Sequence, residues 1–302
     1  MTNAHDCGAC GHDCLGGVCL SGACRPVVLA SGQPQPLALA VDATHVYFTT
    51  NATVARVPIA GGATAVLASS QAAPTGIAVD AARVYWTASY GDAVLSIPLA
   101  GGTPTTIASG QSHPLGLAVD AASLYWLDSS GAGTLETAPL AGGTAPTLLA
   151  GGQAFPYALA ADAQSLYWTL DLAGGAVMTL PKAGGTPAAL AMGLDQPRSV
   201  VVDAQNAYFT EQGAGNVSSV PIGGGMVTVL ASGQDKPFGV AVDDAYVYFT
   251  NQGDGTVKKV TKTGGATATI ASGLGAPAGI AVDGTRVYFA AYGDGRVLAV
   301  AK

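Results

Sequence analysis

The chain has 302 residues, of which 49% are apolar and only 10% charged, and its net charge is −7. A chain this apolar can bury a core, which excludes intrinsic disorder, and 42 glycines without a three-residue period exclude collagen. The acidic balance and the lack of any basic run leave no electrostatic footprint for nucleic acid, and no stretch approaches the roughly 18 consecutive apolar residues of a membrane-spanning helix.

Residues 1–26 hold all five cysteines, Cys7, Cys10, Cys14, Cys19 and Cys24, in CGACGHDCLGGVCLSGAC. A segment with almost no apolar side chains needs cross-links to fold, so it reads as a small disulfide knot of an exported protein, whether extracellular, periplasmic or on the cell surface. Metal binding, with His5 and His12 as further ligands, is the rival reading, although the spacing matches no common zinc finger. The odd count leaves one thiol over, through which an otherwise monomeric protein could dimerise. MTNAHDC has neither the basic nor the apolar region of a signal peptide, so the chain is expected to begin at or after a processed start.

From residue 27 onward the sequence repeats. PLALAVDATHVYF, PTGIAVDAARVYW, PLGLAVDAASLYW, PYALAADAQSLYW, PRSVVVDAQNAYF, PFGVAVDDAYVYF and PAGIAVDGTRVYF align on Asp42, Asp80, Asp120, Asp162, Asp203, Asp243 and Asp283, at spacings of 38 to 42 residues. Each copy gives an apolar run, the Asp, an aromatic pair five residues later, a Gly- or Asn-rich turn, a third apolar run, a GG turn and a fourth run. Runs of five or six residues bounded by Pro, Gly, Asp or Asn are too short for helices and read as strands. Four strands repeated at about 40 residues are the pattern of a β-propeller, and seven copies predict an all-β fold of seven four-stranded antiparallel blades over residues 27–302.

The two ends of this region complete each other. The last copy stops at GRVLAVAK, a third strand, whereas the first is preceded by VVLAS at 27–31, which matches the fourth strands elsewhere. The amino-terminal strand is therefore expected to complete the last blade and leave no open seam.

The strings YWTA at 85–88, YWLD at 125–128 and YFTEQGAGNV at 208–217, each following a PxGIAVD-like run, resemble the YWTD, NHL and virginiamycin B lyase group of propellers. The resemblance covers residues 27–302 and implies the fold; receptor modules, scaffolds, sensors and enzymes all occur on that architecture. The count of seven favours the lyase branch, since YWTD and NHL propellers usually have six blades. That branch relies on a His and a nearby Glu-x-His, and no Glu-x-His occurs here. His45 belongs to a first hairpin turn, which leaves His113 as the histidine to consider.

The repeated aspartates are expected to cap hairpins, accepting backbone N–H groups two residues on, and the aromatic pairs to fill the core between blades. Six aromatics fall outside the pairs: Tyr90, Phe155, Tyr157, Phe238, Tyr246 and Tyr292. All but Tyr246 belong to the face that carries the second-to-third turns and the links between blades. Those links hold a Pro at one register, and the bulky or charged residues beside it cluster in blades 3 to 6: His113, Phe155, Tyr157, Arg198, Lys236 and Phe238 are the candidate ligand-binding set. The neighbouring turns offer Asp128, Asp171, Glu211 and Asn251.

These residues predict a non-catalytic recognition module that uses one face around the central channel for a small molecule, a glycan or a protein, with no cofactor expected. The alternative is an enzyme at the channel mouth, a lyase with His113 and Glu211 as acid and base, or a lactonase holding a divalent metal, calcium, on Asp128, Glu211 and Asn251. A purely structural spacer is the third reading. The ligand is not legible.

Overall fold

The computed structural model describes residue 7, residues 13–20 and residues 23–302. His5, Cys10 and His12 lie outside the described residues. Residues 27–302 form seven four-stranded antiparallel sheets, and in blades 1 to 6 the strands are hydrogen-bonded in chain order. Blade 7 consists of Pro277–Val282, Arg286–Ala291, Arg296–Ala301 and Val27–Ala30, so the amino-terminal strand supplies the fourth position. Val27 pairs with Ala299, Val28 with Leu298 and Ala30 with Val297. The expected closure is therefore the observed one, and the last blade has no missing strand through which chains could join edge to edge.

Why the strands stop where they do follows from local chemistry. Each motif Asp closes the first hairpin: in blade 4, Asp162 Oδ1 accepts the N–H groups of Gln164 and Ser165, both at 2.7 Å, while Oδ2 accepts the Tyr167 hydroxyl at 2.7 Å. The same three bonds recur at all seven aspartates, from Asp42 to Asp283. The GG turns supply the positive φ that a tight third-to-fourth hairpin needs, as at Gly61 and Gly62 with φ of 83° and 138°.

The core lies between blades. The aromatic pairs are buried in every copy, and each Tyr packs with the Phe or Trp of the next blade, as Tyr85 does with Trp126 and Tyr208 with Phe249. Each such ring removes roughly 150–250 Å² from water, which makes these wedges the main apolar contribution to holding the ring of blades together.

A second device joins neighbouring blades. Two residues after the Tyr stands a fully buried Thr in five blades: Thr49, Thr87, Thr169, Thr210 and Thr250. Thr250 Oγ1 accepts the Gly239 N–H of its own innermost strand at 2.8 Å and donates to the Ala278 carbonyl of the next blade at 2.8 Å. The hydroxyl thus fills the register break after the link Pro, where the innermost strand bulges away from the second strand. Blade 7 has Ala290 instead, and there the Gly279 N–H bonds directly to the Leu37 carbonyl of blade 1 at 2.8 Å.

The cysteine-rich segment is cross-linked by Cys7–Cys19 and Cys14–Cys24, an interleaved pairing. The two bridges are buried and share a core cluster with side chains of blades 6 and 7. Arg286 Nη2 donates to the Leu15 carbonyl at 2.6 Å and its Nη1 to the Ile59 carbonyl, so one guanidinium ties the knot, blade 7 and blade 1 together. No helix in the described residues is long and apolar enough to cross a membrane.

Candidate functional site at the channel mouth

The first strands of all seven blades line the axis and enclose a cavity of about 230 Å³. Each enters from a link whose geometry is the same around the ring. The residue before the Pro is left-handed in every copy: Gln35, Ala73, His113, Phe155, Gln196, Lys236 and Ala276 have φ of 46–62°. Non-glycine residues reach this region at a cost of about 1 kcal/mol or more. The link holds them there through backbone bonds to the second-to-third turn, as where Ser129 and Ser130 N–H groups reach the His113 and Ser112 carbonyls at 3.2 and 3.0 Å.

This turn of the chain separates the two sides of the Pro. The residues after it, Leu37, Thr75, Leu115, Tyr157, Arg198 and Phe238, border the cavity. None of the residues before it does. Gln196 and Lys236 border a hollow of about 650 Å³ over blades 5 and 6, and His113 borders one of about 680 Å³ over blades 1 to 3. Phe155 borders neither and is 65% exposed.

Within the ligand-binding set, the structure brings Tyr157, Arg198 and Phe238 together. The Arg198 guanidinium lies 4.7 Å from the Tyr157 ring centroid and 5.9 Å from that of Phe238, and the two rings meet edge to face at 6.3 Å. Its Nη1 pairs with Asp171 Oδ2 at 2.8 Å and its Nε donates to Gln212 Oε1 at 3.1 Å. Burial pushes the Asp171 carboxyl above the usual carboxylate range, against the pull of Arg198. Burial likewise raises the Tyr157 phenol, again opposed by the guanidinium. Arg198 and Phe238 border both the channel cavity and the hollow over blades 5 and 6, so they form the wall between them. His113 instead packs at a tilt of 51° against Tyr90, with ring centroids 5.2 Å apart.

The acidic and amide candidates of the turns divide by strand parity. Counting from the Tyr, position +2 of the second strand and position +4, one residue past its end, point toward the next blade, and positions +1 and +3 toward the preceding link. Asp171 is at +4 and reaches Arg198. Asp128, Glu211 and Asn251 are at +3 and are buried inside blades 3, 5 and 6. Asp128 Oδ2 accepts the Ser112 N–H at 2.9 Å, Glu211 Oε1 accepts the Ser218 hydroxyl at 2.9 Å, and Asn251 Nδ2 donates to Gln234 and Thr256 at 3.1 and 3.2 Å. None of the three borders the cavity or the two hollows. Among the described residues the one group of three or more acid, His or Cys side chains close enough to share a metal ion is Cys7, Cys14 and Cys24, all within disulfides.

Gln212 and Gln252, also at +4, are mouth residues that the spread of charges and aromatics does not reveal. Gln212 Nε2 faces Gln252 Oε1 at 3.4 Å, which extends the Arg198 network into blade 6. The two-residue period counted from the Tyr would have found both, because the position that carries the inter-blade Thr leads two residues on to the mouth.

No protein-family model matches the chain, and no curated protein matches it. Solved structures do. Virginiamycin B lyase from Staphylococcus aureus superposes with a TM-score of 0.79 at 14% identity, covering 92% of this chain and 98% of that one. Hydrazine synthase from Kuenenia stuttgartiensis gives 0.77 at 17% identity over 90% and 97%. A chain of a nidogen/laminin complex gives 0.62 at 24% identity over 72% and 88%. At these identities the likeness is one of fold, which an enzyme and a component of a protein complex share.

Proposed function

We propose that this chain is an exported recognition propeller whose ligand site is the channel mouth formed by Tyr157, Arg198 and Phe238. The carrying observation is the position of Arg198: a cation fixed over two aromatic rings by Asp171 and Gln212, bordering both the channel cavity and an adjoining hollow. Convergent aromatic and polar groups held rigid at the entrance of a concavity are what a small ligand needs for affinity at low ordering cost. The two disulfides support export, since such bridges persist in oxidising compartments.

The acid and base of the catalytic alternative sit on different blades, His113 at the rim of the hollow over blades 1 to 3 and Glu211 buried within blade 5 against Ser218. That placement favours binding over proton transfer.

The test is a ligand-observed NMR screen of a fragment library against the full chain. Fragments that bind, and lose binding in a Tyr157→Ala/Arg198→Ala double variant with unchanged circular dichroism, support the site. Binding that persists in the double variant, or no binding at all, refutes it.

A further inference from the structure

Resting on that reading, we infer that the hollow over blades 5 and 6 is a subsite for a neutral saccharide. Its lining is rich in carboxamides and holds a single aromatic ring. Four carboxamides, Gln196, Gln212, Gln234 and Gln252, surround a space of about 650 Å³ closed on the channel side by Phe238 and Arg198. The hollow across the mouth also holds carboxamides, Gln35, Asn51 and Gln71, but sets them among three Tyr rings and His113.

The hydrogen-bonding state of these amides decides what they can take. Gln234 is engaged: Oε1 accepts from Asn251 and Lys258, and Nε2 donates to the Ser232 carbonyl at 2.7 Å. Gln212 is half engaged, through Arg198 and Gln252. Among the described residues Gln252 uses only its Oε1, leaving an NH₂ with two donors, and Gln196 is exposed and makes no side-chain hydrogen bond. A carboxamide offers donors and acceptors in one plane, which matches vicinal hydroxyls, each both donor and acceptor. Phe238 offers the apolar surface on which the C–H face of a sugar ring stacks.

Charge argues for a neutral ligand. The Arg198 fork is directed at Asp171 and Gln212, so its charge is already compensated. Lys236 forms no ion pair among the described residues, but Asp235 stands beside it in the lining. A phosphate or carboxylate would have to displace Asp171 or Gln212 to gain a bidentate partner; a hydroxyl group would not.

The experiment titrates cellohexaose, mannohexaose, chitohexaose and a linear galactan fragment into the full chain by calorimetry. It is repeated with Gln196→Leu/Gln252→Leu, with Phe238→Ala and with Gln164→Leu on the opposite face. We expect at least one saccharide to bind, to lose about tenfold or more in Kd in the first two variants, and to be unaffected by the third. No binding at millimolar saccharide overturns the inference, as does binding that the hollow variants leave intact. Anilinonaphthalene sulfonate run in parallel separates the two levels: if the dye binds in an Arg198- and Tyr157-dependent way while every saccharide fails, the mouth remains a ligand site and only the saccharide assignment falls.

Discussion

Trp126 Nε1 donates to Gln111 Oε1 at 2.7 Å, from the second strand of blade 3 to the link that enters it. The pair recurs as Trp86 with Gln71 and Trp168 with Gln153, both at 3.0 Å. Phe replaces the indole in blades 1, 5, 6 and 7; the link residue is Leu194 or Leu274 in blades 5 and 7, and in blades 1 and 6 it is Gln33 or Gln234, whose amides bond to Ser31 and to Ser232 and Asn251. A buried indole needs an acceptor, whereas a phenyl ring does not and leaves the link position free to be apolar. Gln111→Leu should therefore orphan the Trp126 N–H and cost about 1–3 kcal/mol, and Trp126→Phe should strand Gln111 Oε1 at a similar cost, while its Nε2 keeps the Ser109 carbonyl. The double variant, which copies blades 5 and 7, should recover most of the sum. Thermal denaturation of the four proteins closes the cycle, and strict additivity would refute the coupling.

The seam between blades 7 and 1 makes a contrasting prediction. Thr210 bridges the Ser199 N–H and the Phe238 carbonyl at 3.2 and 2.7 Å, whereas at Ala290 the equivalent groups, Gly279 N–H and Leu37 carbonyl, touch directly at 2.8 Å. Thr210→Val removes the bridge without changing shape and should destabilise by about 1–3 kcal/mol. Ala290→Thr, which restores the repeat consensus, should also destabilise, because the hydroxyl has to enter a bond that is already closed. A rise in melting temperature for Ala290→Thr would show that the seam is not tighter than the other joints.

How far the sequence was legible depended on period. The seven copies of Asp with an aromatic pair five residues later define blade number, strand order and closure, because every one of those features repeats. The site is written in departures from the repeat, and a departure shows residue type but not direction. Asp128, Asp171, Glu211 and Asn251 look alike in turn sequences, yet one residue of offset sends Asp171 to Arg198 and the others into their blades. His113 and Phe155 flank the link Pro as closely as Tyr157 and Arg198 do, but the left-handed φ before the Pro takes them away from the cavity. Nothing in the residue types of those positions announces positive φ, since none of the seven is Gly.

Acid should weaken the ring in a defined window. Burial works against the charged forms of Asp120 and Asp203, but Lys182 and Lys262 from the following blades, at 2.7 and 2.9 Å, together with two backbone N–H groups and a Tyr hydroxyl, hold both carboxyls at about 2. Asp243 with Lys302 is lowered in the same way. A carboxyl whose folded pKa lies below its unfolded value contributes stability that is present above the unfolded value, about 3.9, and is lost as pH falls through the folded one. Melting temperature should thus fall between about pH 4 and pH 2, and Lys182→Met/Lys262→Met, by raising the folded values toward the unfolded one, should make that fall shallower. A flat profile over this range in the native chain would contradict the assignment.

Reduction should separate the knot from the ring. The two bridges close loops with sequence separations of 12 and 10 residues, and loops of this size typically contribute about 2–3 kcal/mol each. Blade 7 is closed by backbone pairing of Val27–Ala30, outside both loops. Dithiothreitol should therefore open residues 1–26 to limited proteolysis while lowering the melting temperature of the propeller by only a few degrees. Cooperative loss of both at one temperature would instead make the knot an integral part of the last blade.

Asp128 offers the sharpest test of whether a buried carboxyl is structural or functional. It is 5% exposed, and its Oδ1 is buried without a partner among the described residues. Burial pushes its pKa up to about 6 despite the Ser112 N–H, and the negative charges of Glu136 and Asp92 add to the rise. A folded pKa above the unfolded one means that stability is lost as pH rises from about 4 to about 6, so the ionised side chain is a net burden at neutral pH. Blade 6 shows the remedy at the equivalent position: Asn251 Nδ2 donates to Gln234 Oε1 and Thr256 Oγ1, whose counterparts in blade 3 are Gln111 and Thr134. Asp128→Asn should stabilise the protein by about 1–3 kcal/mol at pH 7, and the gain should vanish below about pH 4, where Asp128 is protonated in both states. If the substitution destabilised at pH 7 and calcium raised the melting temperature of the native chain but not of the variant, the carboxylate would be a cation ligand.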